Sequence, residues 1–102
     1  MLRINPFHNR IAEMREEVLS AMRKHNLIEA HFWALRRVLY TDSHLLVVQG
    51  VTDKEIRIYI TKVVEEFLLT SLPEARRLIL IEDVVSAIVV CRDEFKATQV
   101  SK

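Results

Sequence analysis

Almost nothing in this chain breaks a backbone. Its 102 residues include one glycine, Gly50, and two prolines, Pro6 and Pro73. Those are the residue types that most readily end helices and strands. With so few of them, the sequence demands long regular elements joined by short loops. Apolar residues make up 50% of the chain and charged ones 28%. That balance belongs to a globular fold, and the length to one domain with a single modest core.

The first apolar stripe is Phe7, Ile11, Met14, Val18 and Met22, recurring at steps of three and four. Asn5 suits the N-cap, Pro6 the first helical position and Asn26 a left-handed C-cap, which predicts a helix over 6–25. Ile28, Phe32, Leu35 and Leu39 predict a second helix over 28–40, ended by Thr41, Asp42 and Ser43; with almost no loop between them, the two make an αα-hairpin. The apolar run 44–50, closed by the only glycine, reads as a strand. Thr52 and Glu55 form a capping-box pattern ahead of Ile56, Tyr59, Ile60, Val63, Val64 and Phe67, predicting a helix over 52–70. Alternation at Ile56, Ile58 and Ile60 makes a β-hairpin over 44–61 its rival.

Beyond Pro73, the continuous run 77–81 reads as a short buried strand. From Asp83, a candidate cap, helical spacing takes over through Val85, Ile88 and Phe95, giving a helix over 83–95 and a frayed tail. The expected class is therefore α+β, mainly helical, in the order α-α-β-α-β-α with two short strands.

The candidate chemistry is thin. His8, His25, His31 and His44 show no i, i+4 pairing, and the single cysteine excludes a CxxC motif, so neither a metal nor another cofactor is expected. Asp42, Ser43 and His44 have the residue types of a catalytic triad, but consecutive residues point in different directions. Glu13, Glu16, Glu17, Glu65 and Glu66 read as a solvated helix face. One glycine cannot build a phosphate-cradling loop. Cys91, set among aliphatics, reads as an inert buried thiol. No enzyme is expected.

Arg36–Arg37 and Arg76–Arg77 are candidate phosphate contacts. A net charge of +1, with no aromatic residues interleaved as in single-strand binders, limits nucleic-acid binding to weak at most. A lone cysteine, no apolar leader and no run long enough to span a bilayer lead to the expectation of a cytoplasmic protein without membrane contact.

Residues 58–88 resemble the later part of a histone fold. The matching features are the basic pair Arg76–Arg77, the run Leu78–Glu82 in the place of that family's strand-forming loop, and Asp83-Val84-Val85-Ser86-Ala87-Ile88 in the place of its last helix opening. Leu78 stands where the family usually has a polar residue, and Pro73 falls where its central helix still runs. The resemblance implies an all-α histone fold with an extra N-terminal helix, paired loop strands in a dimer, and a subunit of a transcription or chromatin complex; that alternative would make the protein nuclear.

The residues themselves lead to a broader expectation: a small non-enzymatic interaction or dimerisation module, acting as a homo- or heterodimer or on a larger protein partner. Leu78, Leu80, Val85, Ile88 and Val90 are its candidate interface, because the apolar content of 78–91 exceeds what so small a fold covers.

Overall fold

The computed structural model describes residues 6–100, with side chains from 9 to 98. The Asn5 cap and the side chains of Phe7 and His8 lie outside the described residues. Four helices follow one another: α1 Pro6–Arg23, α2 Glu29–Val48, α3 Asp53–Leu68 and α4 Glu74–Val100. No strand occurs among the described residues. The α+β expectation is thereby corrected to an all-helical fold, and the expected strands at 44–50 and 77–81 are both helical.

The physical reasons lie in side-chain spacing. Leu35, Leu39, Ser43 and Val47 are buried at four-residue steps, so one stripe runs straight through Thr41, Asp42 and Ser43, where a stop was expected. Asp42 does not compete with the helix backbone, because its carboxylate accepts the Tyr59 hydroxyl. Gly50 closes this helix and not a strand. It sits at φ +65°, and the amides of Gly50 and Val51 return to the carbonyls of Val47 and Leu46 at 3.2 and 3.4 Å. That is a Schellman C-cap, which needs a left-handed residue where glycine stands.

In α4 the buried positions Arg77, Leu80, Ile81, Val84, Val85, Ala87, Ile88, Cys91 and Arg92 keep a helical period from the first turn onward. Leu78 and Ile79 belong to the outside of that helix, not to a strand buried on both faces. The helix continues to Val100, through most of the tail expected to fray. Residues 78–82, where the histone resemblance implies a strand-forming loop between two helices, lie inside one unbroken helix, α4.

α3 is a helix and the rival hairpin does not form. The Thr52 hydroxyl accepts the Glu55 amide at 3.2 Å, and the Glu55 carboxylate accepts the Thr52 amide at 3.3 Å. Two orphan amides of the first turn are satisfied in this way.

Side-chain pairs read out the packing. Arg10–Glu94 and Lys24–Asp83 set α1 antiparallel to α4. Asp53–Arg92, Arg57–Glu82 and Glu65–Arg77 do the same for α3 and α4. Arg15 beside His44 and Arg23 over Phe32 set α2 antiparallel to α1, and Asp42 with Tyr59 and His31 with Ser71, just beyond α3, set it antiparallel to α3. The result is an up-down-up-down bundle. α4 packs closely on all three other helices, whereas the α1 and α3 backbones nowhere approach within 8 Å among the described residues; α2 and α4 thus form the short diagonal. The core is aliphatic, with Met14, Met22, Leu35, Leu39, Ile56, Ile60, Leu68, Leu80 and Ile88 fully buried. Each such side chain contributes roughly 1.5–3 kcal/mol by leaving water.

Candidate interaction surface

The outer face of α2 carries a cluster built by helical spacing. Arg36 follows Trp33 by three residues and precedes Tyr40 by four, so all three share a face. The Arg36 guanidinium lies 5.4 Å from the Trp33 ring centroid and 5.0 Å from that of Tyr40. Arg15, reaching from α1, stacks 4.3 Å over the other side of the cluster at Tyr40. Its Nε donates to the Tyr40 carbonyl at 2.9 Å, which fixes the stack in place. Phe32 meets Trp33 edge to face at 5.5 Å, with Arg23 5.8 Å over the Phe32 ring. Each such cation–π contact contributes about 0.5–1 kcal/mol at an exposed site.

Trp33 is nonetheless 53% exposed. It lines a shallow depression with Ala34, Arg36, Arg37, Tyr40 and Thr41. Leu45 and Val48 are also exposed further along the helix, about 120° and 60° around its axis from Trp33. Sequence reading singles out Arg36 and Arg37 but misses the aromatics around them. The signal is present: Trp33-x-x-Arg36-Arg37-x-x-Tyr40 interleaves rings and guanidiniums once the segment is wound as a helix.

The second surface is the outer ridge of α4. Of the five residues expected at an interface, Leu80, Val85 and Ile88 fill the protein's own core, while Leu78 and Val90 stand exposed with Ile79. Grooves flank Val90 and Ser86 on both sides. One is shared with Glu17, Ser20, Ala21 and Lys24 of α1, the other with Asp53, Lys54 and Arg57 of α3. The basic pair on α4 splits. Arg76 faces solvent. Arg77 is buried, and its Nη1 donates to the carbonyls of Leu69 and Leu72 at 3.0 and 2.6 Å, with a Glu65 carboxylate oxygen 3.2 Å from Nε. It thereby ties down the turn that follows α3.

The remaining titratable groups are separated. Asp42, Ser43 and His44 go to three places: Asp42 to Tyr59, Ser43 into the core, His44 against Arg15. Burial, with the Asp42 carboxylate beside it, pushes the Tyr59 hydroxyl up to about 12. Burial lowers the His25 ring, helped by Arg76 and Lys24 and opposed by Asp83. His31 lies 3.5 Å from the Ser71 hydroxyl in the turn between α3 and α4. Burial raises the Cys91 thiol to about 11, with Arg10 acting against it. Among the described residues no three His, Cys, Asp or Glu side chains converge as metal ligands, and no helix is long and apolar enough to cross a membrane.

No family model matches the chain, no curated protein matches its sequence, and no solved structure matches its fold.

Proposed function

We propose that this protein is a non-enzymatic interaction module that associates with itself or with another protein through apolar helix faces. One observation carries the reading. The bundle has a filled aliphatic core, yet among the described residues ten large apolar side chains remain exposed, including Leu78, Ile79 and Val90 on α4 and Trp33, Leu45 and Val48 on α2. Single exposed apolar residues are ordinary on a surface; here they concentrate on the outer sides of two helices, next to the grooves beside Val90 and the depression at Trp33, as at contact surfaces. The buried thiol of Cys91 is at home in a reducing, intracellular compartment.

Sedimentation equilibrium of the purified chain tests the reading, with Leu78→Glu and Val90→Glu as controls. Concentration-dependent association that both variants weaken is the expected result. A wild-type monomer at high micromolar concentration, with both variants sedimenting identically, counts against association through α4.

A further inference from the structure

We infer that the outer face of α2 is a docking site for an amphipathic helix of a partner protein, with acidic residues flanking its apolar ridge. The inference rests on the reading of the chain as an interaction module and names the face and the chemistry of what it binds.

Charge is the first argument. Arg10, Arg57, Arg77 and Arg92 each pair with a carboxylate of the same chain. Arg15, Arg23, Arg36 and Arg37, clustered around the α2 aromatics, have no carboxylate partner among the described residues; among the other described arginines Arg76 alone shares that condition. α2 itself holds two acids, Glu29 in its first turn and Asp42, which is engaged by Tyr59. The face is therefore net positive, four arginines against Glu29, so an acidic occupant complements it.

Shape is the second argument. From Trp33 to Val48 the exposed apolar residues Trp33, Tyr40, Leu45 and Val48 are spread over the outer side of α2 across about 22 Å, or four helical turns. An extended apolar surface with a depression at one end suits a helix laid along it, with one anchor side chain inserted. Trp, Tyr and Arg are the residue types that dominate binding energy at interfaces, and here the rings are already ordered by stacking. Single-stranded nucleic acid fits less well. Arg36 covers ring faces on which a base would stack, and Leu45 and Val48 offer a phosphate backbone nothing. A second copy docking through its acidic α4 ridge fits less well too, because Glu82, Asp83, Asp93 and Glu94 already pair with Arg57, Lys24, Arg92 and Arg10.

Trp33 is the only tryptophan in the chain, so its fluorescence reports directly on this face. The probe is a synthetic helical peptide of about 16 residues, long enough for four turns, with leucine on one stripe and glutamate on its flanks. The controls are the same peptide with lysine for glutamate, and an oligo-dT strand. The expected result is a saturable shift of Trp33 emission with the acidic peptide alone, weakened by added salt. Arg36→Glu and Arg37→Glu, each checked for unchanged helix content, should weaken binding at least about tenfold, an effect of roughly 1.4 kcal/mol; Arg36→Lys should retain most of it. No shift with the acidic peptide, or an equal shift with the lysine version, overturns the inference. Tighter saturable binding of oligo-dT at physiological salt overturns it in favour of nucleic acid. If the α2 face binds no peptide while the chain still associates through α4, this inference alone fails; if neither occurs, the interaction reading falls with it.

Discussion

Arg92, near the C-terminal end of α4, donates through Nη1 to the carbonyl of Val51 at 2.8 Å, 41 residues earlier in the chain. The same guanidinium bonds Asp93 at 2.6 and 3.1 Å and pairs with Asp53 at the start of α3. One buried side chain thereby locks the turn that joins α2 to α3 onto the helix at the centre of the bundle. Arg92→Ala should cost about 2–4 kcal/mol, because it leaves a carbonyl without its donor as well as removing an ion pair. Urea unfolding followed by circular dichroism would show it as a lower midpoint with an unchanged slope.

Gly50 is required by conformation and not by space. At φ +65° a Cβ added here would meet only the Lys96 Cε, at an ordinary 3.6 Å. Gly50→Ala should therefore destabilise by about 1–2 kcal/mol through left-handed strain alone. Gly50→Asn should cost less, since asparagine tolerates that region. Thermal melts of the two variants compare them directly.

How much of this is legible follows from where the signals lie. The Thr52–Glu55 box is a local pattern with one structural meaning, and it marks the start of α3 as read. Asn26, expected at a left-handed helix end, is left-handed in the structure, at φ +50°. Gly50 reads as a stop but attaches to the wrong element, because a glycine after an apolar run ends a strand or a helix equally well. Asp42 looks like a helix stop because what engages it, the Tyr59 hydroxyl, comes from the tertiary fold. Ser43 looks like one because nothing local shows that it is buried at a core position, its hydroxyl without a hydrogen-bond partner among the described residues. Leu78 and Ile79 make α4 look like a strand followed by a helix. Apolar residues on a helix's outer face erase its amphipathic period, so the feature that hides the fold also marks the candidate contact surface.

His25 gives stability a pH dependence of definite sign. Burial lowers its folded value below the ordinary histidine value of about 6.5, with Arg76 and Lys24 adding to the effect and Asp83 opposing it. The unfolded chain then binds the proton more readily than the folded one. The neutral ring's contribution is complete above the unfolded value and is lost as the pH falls from there towards the lowered folded value. Urea midpoints should decline between neutral and mildly acidic pH, and His25→Gln should flatten that part of the curve. An equal slope in the variant would assign the loss to other groups.

Cys91 should be silent towards thiol reagents in the folded protein. It is fully buried and its thiol is raised to about 11, so little thiolate exists at neutral pH. Labelling with a chromogenic disulfide should be slow in native buffer and fast in urea. Rapid native labelling would show that the α1–α4 contact opens easily.

The central claim is that the core is complete without the exposed apolar residues of α4. The most direct measurement is a thermal melt of dilute Leu78→Lys/Ile79→Lys/Val90→Lys beside wild type and Leu80→Ala. The account predicts a triple variant with native helix content and a midpoint close to wild type, while Leu80→Ala, which empties a fully buried site, loses about 2–5 kcal/mol. A triple variant as damaged as Leu80→Ala would contradict it, placing those three side chains among the residues that hold the bundle together.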